Sequence, residues 1–187
     1  NESHILVAPT GSNHHKNINL TSNLLDMIYF LLKKKYKIIY RPHPVDLTKK
    51  GNNQLVKNII EKFKEYSNFE TDLSSSYLTS YLKSKVLITD FSGTAYTYSF
   101  STNKPVIFFS KDNYGKLFNS LKKLNYFQDR KEIGYIVNSL QNLNIKLNKL
   151  KKNKTLFKSK IKRLRSKRIQ YFKNSLRVTK KEIEKLL

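Results

Sequence analysis

The stretch VLITDFSGTAYTYSFSTNKPVIFF, residues 86–109, contains the signals for a strand, a turn, a helix and a second strand. Val86–Thr89 and Val106–Phe109 are short apolar runs of β-prone residues. Residues 95–100 lie between them and are long enough for a crossover helix, which is the connection that joins parallel strands. The stretch therefore predicts a β-α-β unit within a parallel sheet.

The turn DFSG at residues 90–93 leads from the first strand of this unit into the helix. Backbone N–H groups at a helix N-terminus lack acceptors within the helix, and they attract phosphate. Ser92 is expected to cap the helix and to offer its hydroxyl to an anion, while Gly93 lets a ligand approach the backbone because it has no Cβ. The alternative is a turn that only caps a helix, as many β-α-β units have.

The rest of the chain continues the alternation of strands and helices. Strands are expected at Ile5–Ala8, Tyr36–Tyr40 and Phe69–Thr71, and helices after Thr21 or Ser22, around residues 55–63, and over Tyr77–Lys83, Lys116–Leu124 and Lys131–Leu143. Because strands and helices alternate, the sequence predicts an α/β fold with a Rossmann-like parallel sheet and helices on both faces.

The amino-acid composition indicates the size of the fold and excludes several kinds of functional site. A chain of 187 residues with 39% hydrophobic residues can form one domain with a core. Without cysteine it has no disulfide, no Cys-ligated metal and no thiol nucleophile, in agreement with a cytosolic location. The four histidines and the scattered acids show no metal-ligand spacing, so we expect neither a metal nor a cofactor.

The two ends of the chain differ in character. No apolar run approaches 18 residues, and the first residues do not form a signal peptide, so we expect a chain cut from inside a longer protein. Residues 146–187 carry 17 Lys and Arg against two Glu, a net charge of +15 that leaves +9 of the total +24 for residues 1–145. We therefore expect a domain over residues 1–145 and a basic helical extension over residues 146–187.

The basic extension has an apolar stripe and is expected to be helical, with a break near Asn153. The stripe consists of Phe157, Ile161, Leu164, Phe172 and Leu176. Three interpretations of its charge are open: a solvated helix, a contact with an anionic membrane surface, or a contact with nucleic acid. Nucleic acid is disfavoured because no recognisable nucleic-acid module accompanies the charge. We expect the stripe to be partly buried and the Lys and Arg of residues 158–168 to remain free for anionic lipid.

Three loops follow the carboxyl ends of predicted strands: Gly11 to His15, Arg41 to His43, and Asp90 to Gly93. Ligands of open α/β sheets bind at that edge, so the three loops are expected to face one crevice. There they would supply a cation, an imidazole, hydroxyls and a helix N-terminus, which together suit a diphosphate. Gly11, Ser12 and Asp90 are further possible donor-binding residues.

The motif Arg41-Pro42-His43-Pro44, then LITDFSG at residues 87–93 and KPVIFF at residues 104–109, resembles the C-terminal half of the CDP-glycerol glycerophosphotransferase family. These enzymes are teichoic-acid polymerases and their capsule-synthesis relatives. The resemblance covers roughly residues 4–115 and implies the nucleotide-binding, C-terminal domain of a GT-B type transferase. It implies that His43 and Ser92 lie at the donor diphosphate. From the residues themselves we expect His43 to be catalytic, and Arg41, Gly93 and Thr94 to contact the same diphosphate.

The resemblance also implies the partners of the chain. They are a CDP-linked or other nucleotide-linked donor, a cell-surface polymer as acceptor, and the N-terminal half of the same enzyme. A cytoplasmic location at the inner face of the cell membrane is expected. Ser92-Gly93 stands where the family usually has two serines, and Thr97 where an acidic residue is common. A nucleotide-sugar glycosyltransferase of capsule or lipopolysaccharide synthesis therefore remains an alternative, as does a non-catalytic basic module.

Overall fold

Six short strands form one parallel sheet in the computed structural model, which describes residues 2–13, 20–48, 53–110 and 123–185. The strands are β1 His4–Val7, β2 Lys37–Tyr40, β3 Phe69–Thr71, β4 Ser84–Thr89, β5 Val106–Phe109 and β6 Gly134–Val137. Their spatial order is β3-β2-β1-β4-β5-β6, and each neighbouring pair is parallel. This is the strand order of the Rossmann fold, so the predicted fold class is confirmed.

The strands are apolar because a parallel sheet with helices around it is covered on both faces. In the central strand β1, Ile5, Leu6 and Val7 are fully buried. Leu6 lies opposite Ile39 of β2 and Leu87 of β4 in the sheet register. All four residues of β5 are buried as well. The predicted strands at residues 69–71 and 106–109 have the observed bounds, and the others differ by one or two residues at their ends.

Nine helices in the described residues surround the sheet. They are α1 Leu24–Lys33, α2 Asn53–Phe63, α3 Leu78–Lys83, α4 Thr94–Thr102, α5 Asn125–Gln128, α6 Arg130–Ile133, α7 Leu140–Lys152, α8 Lys158–Arg168 and α9 Ser175–Glu184. Two 3-10 turns, Leu20–Asn23 and Pro44–Leu47, follow β1 and β2. None of the helices that the structure describes has the length and apolar character needed to span a bilayer.

The helix predicted over Lys131–Leu143 is wrong, because this segment contains the sixth strand. The residues GYIV at 134–137 are β-prone and pair with β5, and Ser139 starts α7 by accepting a hydrogen bond from the Asn142 N–H. Gly134 approaches β5 so closely that a Cβ there would lie 1.7 Å from the Val106 carbonyl oxygen. Residues 116–122 of the helix predicted over Lys116–Leu124 lie outside the described residues.

The apolar stripe of the extension is buried only in its first half. Helix α7 ends at Lys152, which confirms the break near Asn153, and Phe157, Ile161 and Leu164 then pack into the core. The expected partial burial of the stripe is confirmed, but its continuation along one helix beyond Leu164 is wrong, and Phe172 and Leu176 are 37% and 85% exposed. The reason is a turn after α8 in which Tyr171 and Lys173 have positive φ, so the helical period is interrupted. The expected division between residues 145 and 146 falls inside α7 and stays a prediction.

Three arginines attach α8 to the rest of the domain, contrary to the expectation that the basic residues of 158–168 stay free. Arg163 pairs with Glu132 at 2.9 Å, Arg165 donates to the Phe100 carbonyl at 2.5 Å and to Asn103 at 3.0 Å, and Arg168 pairs with Asp129 at 2.7 Å. The guanidinium group suits such contacts because its planar fork donates several hydrogen bonds at once. The lysines of α8 are exposed.

We expect Gly134→Ala to destabilise the domain by about 1 to 3 kcal/mol, because its methyl group would overlap the backbone of β5. Gly93→Ala is the matched control, since a Cβ at Gly93 meets nothing within 4 Å and its φ of −58° is helical. The control should change the unfolding free energy by less than about 1 kcal/mol. Urea unfolding of both variants measures the difference, and equal midpoints would refute the close approach of β6 to β5.

Candidate functional site

The candidate site lies at the carboxyl edge of the sheet, where the strand order reverses between β1 and β4. The loops after β1, β2 and β4 all leave from this edge because the strands are parallel. The Thr89 hydroxyl at the end of β4 donates to the Ala8 carbonyl at 2.6 Å, which joins the ends of β1 and β4. The three predicted loops therefore start side by side.

Asp90 organises the loop after β1. Its carboxylate accepts hydrogen bonds from the backbone N–H groups of Thr10 at 3.0 Å, Leu20 at 2.9 Å and Phe91 at 2.8 Å. Asp90 is fully buried, and burial raises the pKa of its carboxyl group although the three N–H groups act in the opposite direction. The observed contacts of Asp90 hold Thr10 and Leu20, at the two ends of the loop after β1. A contact between Asp90 and the nucleotide-linked donor stays a prediction.

Asp46 is a second buried carboxylate, and the sequence interpretation missed it. It lies in the 3-10 turn after β2 and accepts two hydrogen bonds of 3.1 Å from the Ser12 N–H and one from the Ser12 hydroxyl. Gly11 and Ser12 are thereby held inside the protein rather than at its surface. One feature of the sequence could have identified Asp46: it is an acidic residue three positions after His43, in the first turn that follows the two prolines. His14 and His15 of this loop lie outside the described residues.

His43 is held by the turn that it starts. Its backbone is extended, with φ −66° and ψ 138°, and its Nδ1 accepts a hydrogen bond of 3.2 Å from the Val45 N–H. A ring nitrogen that accepts a hydrogen bond carries no proton, so the neutral imidazole carries its hydrogen on Nε2. Since His43 is half-buried, Nε2 can serve as a fixed hydrogen-bond donor at this edge.

Arg41 contacts the loop between β3 and α3. Its guanidinium group pairs with Asp72 at 2.6 Å and donates to the carbonyl oxygens of Ser74 at 2.9 Å and Ser76 at 3.3 Å. Burial acts to raise the pKa of Asp72. Hydrogen bonds from Ser74, Ser80 and Arg41 outweigh burial and lower this pKa to about 2. Arg41 therefore fixes a neighbouring loop of the same edge, and its predicted contact with phosphate remains a prediction.

The start of α4 presents unpaired backbone donors. The N–H groups of Ser92 and Gly93 donate to no acceptor among the residues that the structure describes. The Ser92 hydroxyl accepts a weak bond of 3.4 Å from the Thr94 N–H, and the Thr94 hydroxyl lies 2.6 Å from the Tyr81 hydroxyl. The Tyr126 hydroxyl donates to the Ser92 carbonyl at 2.9 Å and so helps to hold the start of α4. The sequence did not indicate this contact.

The carboxyl edge thus combines an imidazole N–H donor, a serine hydroxyl and free N–H groups at a helix start, and open space lies beside Gly93. Such donors stabilise a phosphate anion, and they do so best where negative charge increases during a reaction. No group of three His, Asp or Glu residues suited to a metal ion occurs in the described part of the chain.

The model of one protein family matches residues 1–181 of the chain. Its description is CDP-glycerol:poly(glycerophosphate) glycerophosphotransferase. Comparison with curated protein sequences gives no significant match.

Solved structures with a similar fold include the wall teichoic acid polymerase TagF, at 24% identity and a TM-score of 0.58, over 88% of this chain and 38% of that chain. A TagF variant soaked with CDPG matches at 25% identity and a TM-score of 0.57, over 89% of this chain and 37% of that chain. The S. aureus MnaA–UDP complex matches at 17% identity and a TM-score of 0.55, over 84% and 38% of the two chains. The chain thus spans less than two fifths of the TagF length.

The low pKa of Asp72 leads to a test of the contact with Arg41. A carboxyl group with a folded-state pKa of about 2, below its usual value of about 4, stabilises the fold above about pH 4 and loses that effect as the pH falls toward 2. Asp72→Asn should lower the unfolding free energy at pH 7 by about 1 to 2 kcal/mol, with allowance for solvent screening.

Urea unfolding between pH 3 and pH 7 measures this effect, and the difference from the wild type should shrink toward pH 3. The matched control is Asp26→Asn, since Asp26 is an exposed residue of α1 that has no hydrogen bond or ion pair with a described residue. A difference that does not vary with pH would show that the carboxylate charge of Asp72 does not stabilise this edge.

Proposed function

Because the chain belongs to the CDP-glycerol:poly(glycerophosphate) glycerophosphotransferase family, we propose that it is the nucleotide-binding domain of a GT-B type transferase with a CDP-linked donor. The domain helps to transfer glycerol phosphate, or a related polyol phosphate, to a cell-surface polymer such as teichoic acid. The observation that carries the proposal is the group of donors at the carboxyl edge: His43 Nε2–H, the Ser92 hydroxyl and the free N–H groups at the start of α4. TagF, a polymerase studied with CDPG, has the same fold.

Residues of this edge stabilise the anion that the reaction releases. An acceptor hydroxyl attacks the phosphorus that bears glycerol and gives up its proton to water, the bond between that phosphorus and the bridging oxygen breaks, and CMP leaves with the electron pair. Negative charge grows on the oxygens of the departing phosphate, and the Nε2–H of His43 and the N–H of Gly93 are hydrogen-bond donors for them. Ser92 adds its hydroxyl. Positioning of the diphosphate is the second contribution of these groups.

His43 acts in this proposal as a hydrogen-bond donor. Its Nδ1 accepts a hydrogen bond from the Val45 N–H, which leaves the ring hydrogen on Nε2. The role proposed for His43 is to stabilise the phosphate anion through this Nε2–H.

A nucleotide-sugar glycosyltransferase is the second candidate function. The same fold occurs in MnaA, solved with UDP, and Ser92-Gly93 and Thr97 depart from the usual family pattern. Both candidates need a nucleotide diphosphate at the carboxyl edge, and they differ in the base and in the transferred group. A non-catalytic basic module that binds nucleic acid is the third, and it needs no nucleotide site.

The location proposed for the protein is the cytoplasmic side of the cell membrane, where a lipid-linked acceptor would be available. The exposed lysines of α8 support a contact with anionic lipid, because among the described residues they have no partner of the kind that the three arginines of the same helix find in other parts of the domain. Exposed Leu176 and Ile183 of α9 add apolar groups next to further basic residues. Peripheral attachment by charge and a few apolar side chains is the mode that this composition suits.

Calorimetric titration tests the donor site. We expect the chain to bind CDP and CDP-glycerol more tightly than UDP or UDP-sugars, and His43→Ala to weaken the binding about tenfold, because a hydrogen bond to a charged group contributes about 1.5 kcal/mol or more. His43→Gln should recover part of the loss, since its amide can donate in place of Nε2–H. In the transferase reaction, His43→Ala should lower turnover about 100-fold.

The other outcomes of this titration separate the candidates. Preference for UDP over CDP favours the glycosyltransferase. Binding of short duplex DNA that weakens steeply with salt, without nucleotide binding, favours the basic module. Normal turnover of His43→Ala removes His43 from the mechanism.

Sedimentation with lipid vesicles tests the membrane contact. Replacing Lys158 and Lys162 with Gln should weaken binding to anionic vesicles about 30-fold, since each lysine near anionic lipid contributes about 1 kcal/mol. The same double change at Lys57 and Lys62, exposed on α2, is the control with equal loss of charge. Binding of the wild type should fade at high salt. Equal effects of the two double variants, or equal binding to neutral vesicles, would contradict an electrostatic contact through α8.

A further inference from the structure

A concavity lies at the amino edge of the sheet, opposite the candidate donor site. Its volume is about 540 Å³, which is in the range of ligand sites. The lining residues are Ser3, Lys34, Lys35, Tyr36, Lys37, Lys85, Asn144, Asn148 and Lys151. They come from the starts of β1, β2 and β4, from the end of α1 and from one side of α7. We call this concavity the lysine cleft.

The lysine cleft concentrates positive charge without compensation. None of its five lysines forms an ion pair with a residue that the structure describes, and no acid lines the cleft. Loss of hydration, and then the charges of Lys151 and Lys154, lower the pKa of Lys85. Lys151, which also lines the cleft, thus repels Lys85, and an anion bound in the cleft would relieve this repulsion.

Lys35 occupies a position where the backbone normally favours glycine. It follows the end of α1 with a φ of 61°, and the bonds from Lys35 N–H to Leu32 and from Tyr36 N–H to Leu31 complete a Schellman ending. Glycine adopts this left-handed conformation freely, whereas a lysine is strained there. The side chain at this position therefore opposes local stability and places one more positive charge in the cleft.

Amide groups accompany the lysines on the α7 side of the cleft. Asn144, Asn148 and Lys151 are spaced by four and three residues and so share one face of the helix. The two amide side chains make no hydrogen bond with a described residue. An amide both donates and accepts, so this side can bind hydroxyl groups beside the phosphates that the lysines attract.

We propose that the lysine cleft binds a linear polyol-phosphate polymer, with its phosphates on the lysines and its hydroxyls on the two asparagines. The anionic class of the ligand follows from the cleft alone, whereas its identity as the polymer product rests on the function proposed above. A bilayer is disfavoured because a flat surface enters a concave cleft poorly. Nucleic acid is disfavoured because Tyr36 is the one aromatic lining residue, and Lys85 Nζ lies 5.8 Å from its ring centre.

Such a site would hold the growing polymer at one edge of the sheet while the donor occupies the other. Fluorescence anisotropy with a labelled poly(glycerol phosphate) of about ten units tests this with the full chain. We expect binding that a saturating concentration of CDP does not displace. Lys85→Gln and Lys35→Gly should each weaken the binding about fivefold, as expected for one lysine near a phosphate. Lys57→Gln is the control and should bind normally, since Lys57 is exposed on α2 and does not line the cleft.

Lys35→Gly separates binding from folding. Its melting temperature should equal or exceed that of the wild type, because glycine fits the positive φ, while its affinity for the polymer falls. Loss of both affinity and melting temperature, or normal affinity in both cleft variants, would overturn the proposal.

The remaining outcomes distinguish the two sites. Displacement of the polymer by CDP would overturn the proposal, as would anionic vesicles or duplex DNA that bind through Lys85 more tightly than the polymer. A chain that binds CDP-glycerol but not the polymer refutes the lysine cleft and leaves the donor site intact. A chain that binds the polymer through Lys85 but no CDP-glycerol supports the cleft and refutes the donor site.

Discussion

The burial of two carboxylates at the carboxyl edge is the constraint on which the candidate site depends. A charged group inside a protein is tolerated only where hydrogen bonds replace its lost hydration. Asp90 meets this condition with three backbone N–H groups, and Asp46 meets it with the N–H and hydroxyl of Ser12. The loop after β1 therefore takes the course that satisfies these oxygens. The carboxyl edge that carries His43 and Ser92 is thus shaped in part by this requirement.

Five of the six arginines, together with Lys104, make contacts within the domain, whereas many lysines lie at the surface. Arg41, Arg163 and Arg168 pair with carboxylates, and Arg165 binds backbone and side-chain oxygens of the α4 end. Arg130 is buried, with its guanidinium 4.3 to 4.9 Å from the ring centres of three aromatic residues, Phe108, Tyr126 and Phe127. Lysines, by contrast, line the cleft and the outer side of α8. A net charge of +24 thus overstates the charge available to a partner.

The fold could be predicted because strand and helix signals alternate along most of the chain, and local patterns are enough for that. Features that depend on contacts between residues far apart in the sequence could not be predicted. The sixth strand was missed because GYIV is short and lies next to helix formers, so only its pairing with β5 identifies it. Asp46 and the partner of Arg41 were missed because Ser12 and Asp72 lie some 30 residues away from them in sequence. The prediction that the apolar stripe continues beyond Leu164 was wrong because two residues with positive φ interrupt the helix.

The position of Asp90 in the chain has a consequence for synthesis. Its bond to Thr10 spans 80 residues, and the neighbours of β1 in the sheet include β4, which precedes Asp90 directly. On the ribosome, β1 can pair with β2 early, but its other edge and its loop must wait for β4 and Asp90 until residue 90 has left the exit tunnel. At usual elongation rates of about 5 to 20 residues per second, that delay is on the order of 4 to 16 s. During this delay, one edge of the apolar strand β1 stays exposed, and a chaperone can bind it.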